Sequence, residues 1–334
     1  MNTVKFGSAV LGVGAPPAIV AEIGINHNGD ISLAREMIAA AAQSGAAAVK
    51  LQAYRTEAFL TPQSKYTDLF HRCELDRDAI IELATFAADH GILLFATPLD
   101  IPSAQMLAQI QMSVIKIASC DVTNIPLLRC VARSGATIVL STGMASLSEV
   151  SVAYDTILNQ GNCQIVLLHC IANYPARIDQ INLHTIPYLA EVFDCPVGFS
   201  DHTTGTTAAL LALGSGASMI EKHFTLDRNL PGPDHQLSAL PQELTLLCQT
   251  AAQIPAIMGS RGKIPPEDPA HIIEMRRSIV AQCDINAGGT ITDQMLACKR
   301  PGSGIPANLW DCVVGRTAAC DIARDTVLEL SMLK

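Results

Sequence analysis

The sequence lacks several features that define large classes of protein. No apolar run approaches the roughly 18–20 residues that a membrane-spanning helix needs. Gly12, Gly14, Pro16 and Pro17 interrupt the apolar stretch near the N-terminus, so we expect neither a membrane anchor nor a signal peptide. Basic charge is also scarce, because 22 Lys and Arg face 31 Asp and Glu, giving a net charge of −9. This balance argues against a nucleic-acid or anionic-membrane partner.

Two short signatures are missing as well. The 11 cysteines include no CxxC pair, and an odd number leaves at least one thiol free. We therefore expect reduced cysteines and a cytoplasmic location rather than a disulfide framework or a zinc site. The GxG at Gly12–Gly14 is followed by two prolines and precedes its strand, so it is no dinucleotide-binding fingerprint.

What is present is material for a large core. The chain has 334 residues, of which 49% are hydrophobic and 16% charged, and this composition excludes a disordered protein. Residues 272–334 carry seven basic and seven acidic side chains, so the whole acidic excess lies before them. A lysine at a buried position in that acidic part is therefore notable.

Eight β-rich runs recur along the chain, separated by segments that are apolar at helical spacing. Two of these segments, Ser32–Ser44 and Asp78–His90, are followed by glycine, a typical helix C-cap signal. The repeated alternation predicts parallel strands and, with eight units, a (β/α)8 TIM barrel; an open doubly wound sheet is the alternative. The runs are Ala18–Gly24, Ala46–Gln52, Ile92–Pro98, Ser113–Ser119, Thr137–Gly143, Gln164–Cys170, Pro196–His202 and Ser218–Phe224.

The alternation of strands and helices ends near the C-terminus. Residues 241–258 are typical of the eighth helix, and a stretch rich in Gly and Pro follows them. We predict a catalytic barrel over residues 1–262, a linker over 263–275 and a small turn-rich domain over 276–334. Residues 3–13 are predicted to form a hairpin that closes the bottom of the barrel.

Polar residues stand where the predicted strands end, which is where TIM barrels place their active sites. Side chains two apart on a strand share a face, so several pairs point into the barrel together. The residues are Glu22, Lys50, Gln52, Thr97, Lys116, Ser119, Ser141, His169, Ser200, His202, Glu221 and His223. A polar ring of this kind predicts a binding site.

His202 and His223 end neighbouring predicted strands at matching depths. Two neutral imidazoles beside Asp201 and Glu221 predict an open, exchangeable site for a divalent metal such as Mn²⁺, Mg²⁺ or Co²⁺. A structural zinc site is disfavoured because it closes with four protein ligands. Two hydrogen-bonded core histidines are the alternative.

Lys50 and Lys116 lie in otherwise apolar strands, where a buried ammonium needs an anion. With Ser119 and Ser141 nearby, they predict a site for a phosphate and a carboxylate. Alternatives are a structural ion pair of Lys50 with Glu22 and a Schiff-base lysine. Ser141 is followed by a capping box, Ser146 to Glu149, that predicts a helix N-terminus near this anion.

Taken together, the motifs of the chain resemble the sialic acid synthase family over nearly its whole length. Residues 276–334 are similar to the antifreeze-like (SAF) domain that these enzymes carry. The motifs run from Glu22 to Asp30, Lys116 to Ser119, Ser141 to Met144, Leu168 to Cys170 with Tyr174 and Pro175, Ser200 to Thr203, Glu221 to Asp227, Pro231 to His235 and Lys299 to Gly302.

The resemblance implies a transferase that condenses phosphoenolpyruvate with the open-chain aldehyde of an N-acylated mannosamine-type sugar. Phosphate leaves by C–O cleavage, and a nonulosonic acid of sialic, legionaminic or pseudaminic type results. The phosphoenolpyruvate contacts it implies are Lys50, Thr97, Lys116, Ser119, Ser141 and Ser200. Glu22 and Glu221 become candidates for proton transfer.

The resemblance also implies a metal, a sugar site and a partner. A divalent ion, most simply Mn²⁺, held by His202 and His223 would polarise the aldehyde. The sugar contacts it implies are Gln52, Tyr174, Asp234 and Arg300. Because the arginine matching Arg300 reaches the sugar in the partner subunit, the resemblance implies a domain-swapped homodimer.

Other functions stay open at this point. A related enzyme could condense phosphoenolpyruvate with a phosphorylated sugar, although this acceptor should need a further basic cluster. A Schiff-base aldolase would use Lys50 or Lys116. A non-catalytic sugar- or ice-binding protein would depend on the tail, but the polar ring at the strand ends argues against it.

Overall fold

The predicted alternation of strands and helices produces a closed barrel of eight parallel strands. The structure, a computed structural model, describes residues 3–259, 262–263 and 267–334. Each strand pairs with its neighbours in chain order and the last pairs with the first. This confirms the TIM barrel over the open sheet. The barrel strands are β3 (Ala18–Gly24), β4 (Ala48–Ala53), β5 (Leu93–Pro98), β6 (Val114–Ile117), β7 (Thr137–Ser141), β8 (Ile165–Cys170), β9 (Val197–Asp201) and β10 (Met219–His223).

A hairpin closes the amino-terminal end of the barrel, as predicted. Its strands are β1 (Val4–Phe6) and β2 (Ala9–Leu11), which pair antiparallel. Phe6 packs edge-on against Phe95 inside the barrel, with ring centroids 5.7 Å apart. Thr137 Oγ1 donates a hydrogen bond of 2.8 Å to the Lys5 carbonyl. The bottom of the barrel is thus a packed apolar layer, and the polar residues lie at the other end.

Helices connect the strands and cover the barrel. They are α1 (Ile31–Gln43), α2 (Thr56–Phe59), α3 (Thr67–Cys73), α4 (Arg77–Asp89), α5 (Ile101–Gln109), α6 (Ile125–Ala132), α7 (Leu147–Leu158), α8 (Thr185–Phe193), α9 (Thr207–Gly214) and α10 (Pro241–Met258). Among the described residues, no helix has both the length and the apolarity that crossing a membrane requires.

The helix ends follow the sequence signals. The helices α1 and α4 both finish two residues before a glycine with positive φ, Gly45 at 85° and Gly91 at 69°. The predicted capping box opens α7, where the Ser146 and Glu149 side chains each bond the backbone of the other residue. The last barrel helix occupies the predicted residues 241–258. Local sequence chemistry therefore sets these boundaries.

The chain divides into two compact units, Met1–Gly259 and Ser260–Lys334. The second unit contains α11 (Pro269–Met275), the antiparallel strands β11 (Ser278–Ala281) and β12 (Leu296–Lys299), and α12 (Trp310–Val313). Its own apolar core includes Ile279, Ile291 and Leu328. The boundaries predicted after 262 and 275 stay a prediction, and residues 264–266 of the predicted linker lie outside the described residues.

Strand register brings the polar residues to one level. Glu22 of β3 pairs with Lys50 of β4 and with His223 of β10. Glu221 pairs with Ser200 in the same way. Because parallel strands all end at the same rim, residues distant in sequence become neighbours there.

Candidate active site

A cavity of about 520 Å³ opens at the carboxyl ends of the barrel strands. Of the fourteen residues to which the sequence assigns a catalytic, substrate or metal role, thirteen line this cavity, and the fourteenth, Arg300, belongs to the second unit. His169, which the sequence also placed in the polar ring, does not line the cavity, and its Nε2 lies 2.6 Å from the Ile181 carbonyl. The thirteen are Glu22, Lys50, Gln52, Thr97, Lys116, Ser119, Ser141, Tyr174, Ser200, His202, Glu221, His223 and Asp234. The structure therefore brings these residues together, whereas their individual roles stay predictions.

The floor of the cavity holds four buried charged side chains. Lys50 Nζ lies 2.7 Å from Glu22 Oε2 and 2.9 Å from Glu221 Oε2. Lys116 Nζ lies 3.5 Å from Glu221 Oε1, which also accepts a 2.9 Å hydrogen bond from Ser200. The structure contains the ion pair between Lys50 and Glu22, which the sequence analysis gave as an alternative to an anion site. Two cations and two anions balance in this arrangement.

Burial and these contacts shift the protonation of the floor. Burial lowers the pKa of Lys50 to about 7, against the opposing attraction of Glu221. Burial works against ionisation of Glu221, but Lys116 and Lys50 outweigh it and hold the pKa of that carboxyl well below its usual value. Near neutral pH the floor therefore keeps an ionised Glu221 beside a lysine that readily exchanges a proton.

Several buried polar atoms in the cavity have no hydrogen-bond partner among the described residues. Native proteins leave few such atoms, because each unpaired buried group costs about 1–3 kcal/mol. Here they belong to different strands and cluster at one cavity, a pattern typical of a ligand site. The atoms are Glu22 Oε1, Gln52 Oε1, Thr97 Oγ1, Ser141 Oγ and His223 Nδ1.

His202 and His223 face each other across the cavity with ring centroids 5.4 Å apart. His202 Nδ1 lies 2.8 Å from the Ile171 carbonyl. Since a carbonyl only accepts, His202 carries its proton on Nδ1, and its Nε2 keeps a free electron pair. Burial lowers the pKa of His202 to about 4 and that of His223 well below 6.5. Both imidazoles are neutral at pH 7, the form that binds a divalent metal.

The donor set therefore fits the predicted metal. Two neutral imidazoles, one with an unpaired buried nitrogen, suit a mid-row divalent ion that keeps open positions. A separate group, Glu57, His71 and Glu74, brings one ligand atom each within 4.8 Å. It lies away from the predicted pair, and the Thr56 amide and hydroxyl already occupy Glu74 at 2.9 and 2.7 Å.

Asp201, which the sequence placed beside the two histidines, faces the other side of its strand. It forms a fully buried ion pair with Lys222, at 2.9 Å between Oδ2 and Nζ. Lys222 was not among the residues predicted from the sequence. The signal was present, since Lys222 is a lysine in an apolar strand at the same level as Asp201 on the neighbouring strand.

Two glycines let backbone approach the cavity side chains. The Gly143 amide donates a 3.1 Å hydrogen bond to Ser119 Oγ. A Cβ at this position would lie 2.8 Å from that oxygen and 3.2 Å from the Cys170 carbonyl. Gly24, at a φ of 57°, follows a register shift in β3, and a Cβ there would lie 2.9 Å from Glu22 Oε1. Both positions require a glycine for Ser119 and Glu22 to sit where they do.

The outer part of the cavity is apolar on one side. Its wall comes from the α2–α3 region and the end of β5, and the sequence analysis did not single it out. The wall side chains pack with buried Tyr54 and Cys73 into a separate small apolar cluster. They are Ile25, Phe59, Leu69, Phe70 and Leu99.

Three of the four predicted sugar contacts, Gln52, Tyr174 and Asp234, line the same cavity. Tyr174 is about half exposed (54%) and stacks on His202 with ring centroids 4.1 Å apart. Asp234 Oδ2 lies 3.7 Å from His223 Nδ1, and burial raises the pKa of Asp234 to about 6. Arg300, in the second unit, is exposed, and its Nε donates to the Met275 carbonyl at 2.9 Å.

Comparison with known proteins identifies the family. The model of the NeuB family matches residues 37–263, and the model of the SAF domain matches residues 276–334. The chain belongs to the NeuB family. The resemblance drawn from the sequence motifs is thereby confirmed, as is the barrel followed by a SAF domain.

Relatives of the whole length support this membership. An N,N'-diacetyllegionaminic acid synthase of Campylobacter jejuni is 36% identical over 93% of this chain and 98% of its own. An uncharacterised protein of Methanocaldococcus jannaschii is 40% identical over 98% of both chains. A crystal structure of an N-acetylneuraminic acid synthetase of Leptospira borgpetersenii superposes with a TM-score of 0.77 at 38% identity, covering 81% of this chain and 94% of that one. This NeuB-family chain is thus similar to enzymes that make nonulosonic acids.

Proposed function

We propose that this chain condenses phosphoenolpyruvate with the open-chain aldehyde of an N-acylated mannosamine-type sugar, giving a nonulosonic acid and phosphate. The observation that carries the proposal is one cavity that combines buried lysines, unpaired hydroxyls, two neutral imidazoles and an apolar wall. Each element suits one part of the reaction. The free thiols and the substrate class favour the cytoplasm as the location.

Phosphoenolpyruvate would bind at the cavity floor. Lys50 and Lys116 supply the charge for its phosphate and carboxylate, while unpaired Thr97 and Ser141, with Ser119 and Ser200, supply hydrogen bonds. The carboxylates of Glu22 and Glu221 compensate the charge of the lysines. The two lysines thus bring cationic groups to the floor although the chain as a whole is acidic.

A divalent metal, Mn²⁺, Mg²⁺ or Co²⁺, would be held by His202 and His223. When bound, it would act as a Lewis acid on the aldehyde carbonyl of the sugar. Neighbouring groups orient His202, because Tyr174 stacks on its ring and the Ile171 carbonyl fixes its tautomer.

Carbon 3 of phosphoenolpyruvate would form the new bond to the aldehyde carbon, whose oxygen takes up a proton and becomes a hydroxyl. Water would then add at carbon 2 and lose a proton, leaving a hydroxyl there. As this hydroxyl loses its own proton and becomes the keto group, the bond from carbon 2 to the bridging oxygen would break and phosphate would leave with the electron pair. Glu22 is the better base for that water, because its Oε1 has no partner among the described residues. Lys50 also contacts Glu22, but only through Oε2, whereas both oxygens of Glu221 are engaged, Oε2 by Lys50 and Oε1 by Lys116 and Ser200.

The acceptor would lie between the apolar wall and the polar group of Gln52, Tyr174 and Asp234. The wall suits N-acyl methyl groups and a deoxy carbon, so a 2,4-diacetamido-trideoxyhexose fits it better than N-acetylmannosamine. The lysines that line the cavity are the two on its floor. Among the described residues that line the cavity, none offers a cation to an acceptor phosphate beside the wall.

Arg300 would complete the acceptor site from outside. We propose that the SAF domain of one protomer places Arg300 at the sugar in its partner's cavity, in a domain-swapped homodimer. The support is the position of Arg300 in the Lys299–Gly302 motif of the SAF domain.

A panel of acceptors tests the proposal. Purified chain with phosphoenolpyruvate and Mn²⁺ is given N-acetylmannosamine, its 6-phosphate, or the 2,4-diacetamido-trideoxyhexose, and phosphate release is measured. We expect fastest release with the diacetamido sugar. No release with any of them contradicts the proposal. Faster release with the phosphosugar favours the phosphorylated acceptor, and borohydride trapping of pyruvate on Lys50 or Lys116 favours the aldolase.

A further inference from the structure

Behind the two cavity histidines lies an ion pair that no solvent reaches. The Lys222 and Asp201 side chains are both 0% exposed, and their Nζ and Oδ2 atoms are 2.9 Å apart. Lys222 Nζ also donates to the Thr203 carbonyl at 2.7 Å. Asp201 Oδ1 accepts from the Thr203 amide and hydroxyl, each at 2.8 Å. Three residues are thus joined by four polar contacts.

Strand geometry puts this pair opposite the cavity. Asp201 and Lys222 are paired in register between β9 and β10. Because side chains alternate along a strand, His202 and His223, the next residue on each strand, point the other way, into the cavity. The ion pair therefore sits directly behind the two backbone positions that carry the imidazoles.

The pair brackets His202 in particular. Asp201 precedes this histidine and Thr203 follows it, and both are tied to Lys222 on the neighbouring strand. His223 follows Lys222, and its carbonyl accepts a 2.7 Å hydrogen bond from the Ala239 amide. The backbone on which the two rings stand is fixed from behind, so the separation of the rings depends on the ion pair.

Stability alone explains the pair poorly. A fully buried ion pair is often no more stabilising than well-packed apolar residues of the same size, because both charges lose their hydration. The directed contacts to Thr203, however, define one backbone conformation, which apolar packing would not. Exact spacing of metal-binding side chains is the kind of requirement that such contacts serve.

We propose that Asp201 and Lys222 are positioning residues that set the spacing of His202 and His223 for a divalent metal. The inference rests on the proposed function, since it needs these histidines to bind metal. Neither residue touches the cavity. They act through the backbone of the β9 and β10 ends.

The test measures Mn²⁺ binding to the metal-free full chain by electron paramagnetic resonance of free Mn²⁺. The double variant D201N/K222M removes both charges with little change in volume. We expect it to fold, with a cooperative melt, and to bind phosphoenolpyruvate in the absence of metal within threefold of wild type. Its Kd for Mn²⁺ should rise at least tenfold, the range typical when the supports of metal ligands are changed.

Two further variants keep the test decisive. T203V retains the ion pair and removes only the hydroxyl contact with Asp201, and we expect a rise in Kd of about two- to fivefold. R35M/E82Q removes an exposed ion pair of 2.8 Å on the barrel exterior and should leave Mn²⁺ binding unchanged. If D201N/K222M does not fold, the Kd of T203V for Mn²⁺ is compared with that of wild type instead.

The outcomes separate this inference from the function it rests on. Wild-type Mn²⁺ binding in folded D201N/K222M, or in T203V should the double variant not fold, overturns the positioning role while the metal site stands. If the wild-type chain binds no Mn²⁺, or if H202A binds it as well as wild type, the proposed metal site fails and the positioning role with it.

Discussion

Lys50 Nζ lies 2.7 Å from Glu22 Oε2, and both side chains are buried at the floor of the cavity. A second carboxylate, that of Glu221, lies 2.9 Å from the same ammonium. Despite these anions, burial lowers the pKa of Lys50 to about 7. The lysine proposed to bind phosphoenolpyruvate therefore loses its proton near neutral pH.

Phosphoenolpyruvate binding should weaken as the pH rises above 7. The cationic form of Lys50 is present below its pKa and is lost above it, so each further pH unit removes up to about tenfold of the binding-competent form. The measurement is the Kd for phosphoenolpyruvate between pH 6 and pH 9. K50R, which stays protonated throughout, should show a flatter profile, and an equally steep profile in K50R would assign the pH dependence to another group.

H223A should abolish Mn²⁺ binding and activity without unfolding the chain. The side chain lines the cavity with an unpaired buried nitrogen and is not part of the apolar core, so its loss removes the proposed ligand and leaves that core intact. Equilibrium dialysis measures Mn²⁺ binding, and a thermal melt measures whether the variant is folded. H184A, at an exposed histidine, is the matched control. A large fall in Tm of metal-free H223A would indicate a structural histidine.

G143A should impair phosphoenolpyruvate binding through Ser119. The added Cβ would lie 2.8 Å from Ser119 Oγ, so the hydroxyl or the loop must shift. We expect KM for phosphoenolpyruvate to rise about tenfold, the effect of about 1.4 kcal/mol of lost binding. G214A, where a Cβ meets open space, should leave KM unchanged. Equal kinetics in the two variants would remove Ser119 from the proposed site.

R300A should raise KM for the sugar and leave KM for phosphoenolpyruvate unchanged. The proposal assigns Arg300 a contact with the acceptor, where loss of a charge-assisted hydrogen bond costs about 1.5–3 kcal/mol, or roughly ten- to hundredfold. Steady-state kinetics with each substrate varied in turn give the answer. R324A, at another exposed arginine of the SAF domain, serves as control. An unchanged KM for the sugar contradicts the swapped-domain arrangement.

Much of the fold could be predicted because its signals are local. Seven of the eight barrel strands lie within a predicted run, and the eighth, β4, extends one residue beyond its run, to Ala53. Glycines after α1 and α4, and the Ser146 capping box of α7, marked helix ends correctly. Strand ends converge by the geometry of a parallel barrel, so the cavity residues on the strands followed from the strand predictions, whereas Tyr174 and Asp234 followed from the family resemblance.

The features that could not be predicted are contacts between residues that lie far apart in the sequence. The cavity wall of Phe59, Leu69 and Leu99 forms because the short helices α2 and α3 fold over the barrel mouth, and these segments carry weak periodicity. The Asp201–Lys222 pair needed strand register to be recognised. Asp201 was consequently placed with the histidines, although alternation along β9 turns it away from them.

The proposed reaction joins phosphoenolpyruvate to a sugar aldehyde in this cavity, with cleavage of the C–O bond of phosphoenolpyruvate. Phosphoenolpyruvate labelled with ¹⁸O at the bridging oxygen, incubated with the chain, Mn²⁺ and the 2,4-diacetamido-trideoxyhexose, tests it directly by mass spectrometry. We predict that the label appears in the released phosphate and that one nonulosonic acid forms for each phosphate. Label retained in the organic product, or phosphate released without a condensed acid, would contradict the account.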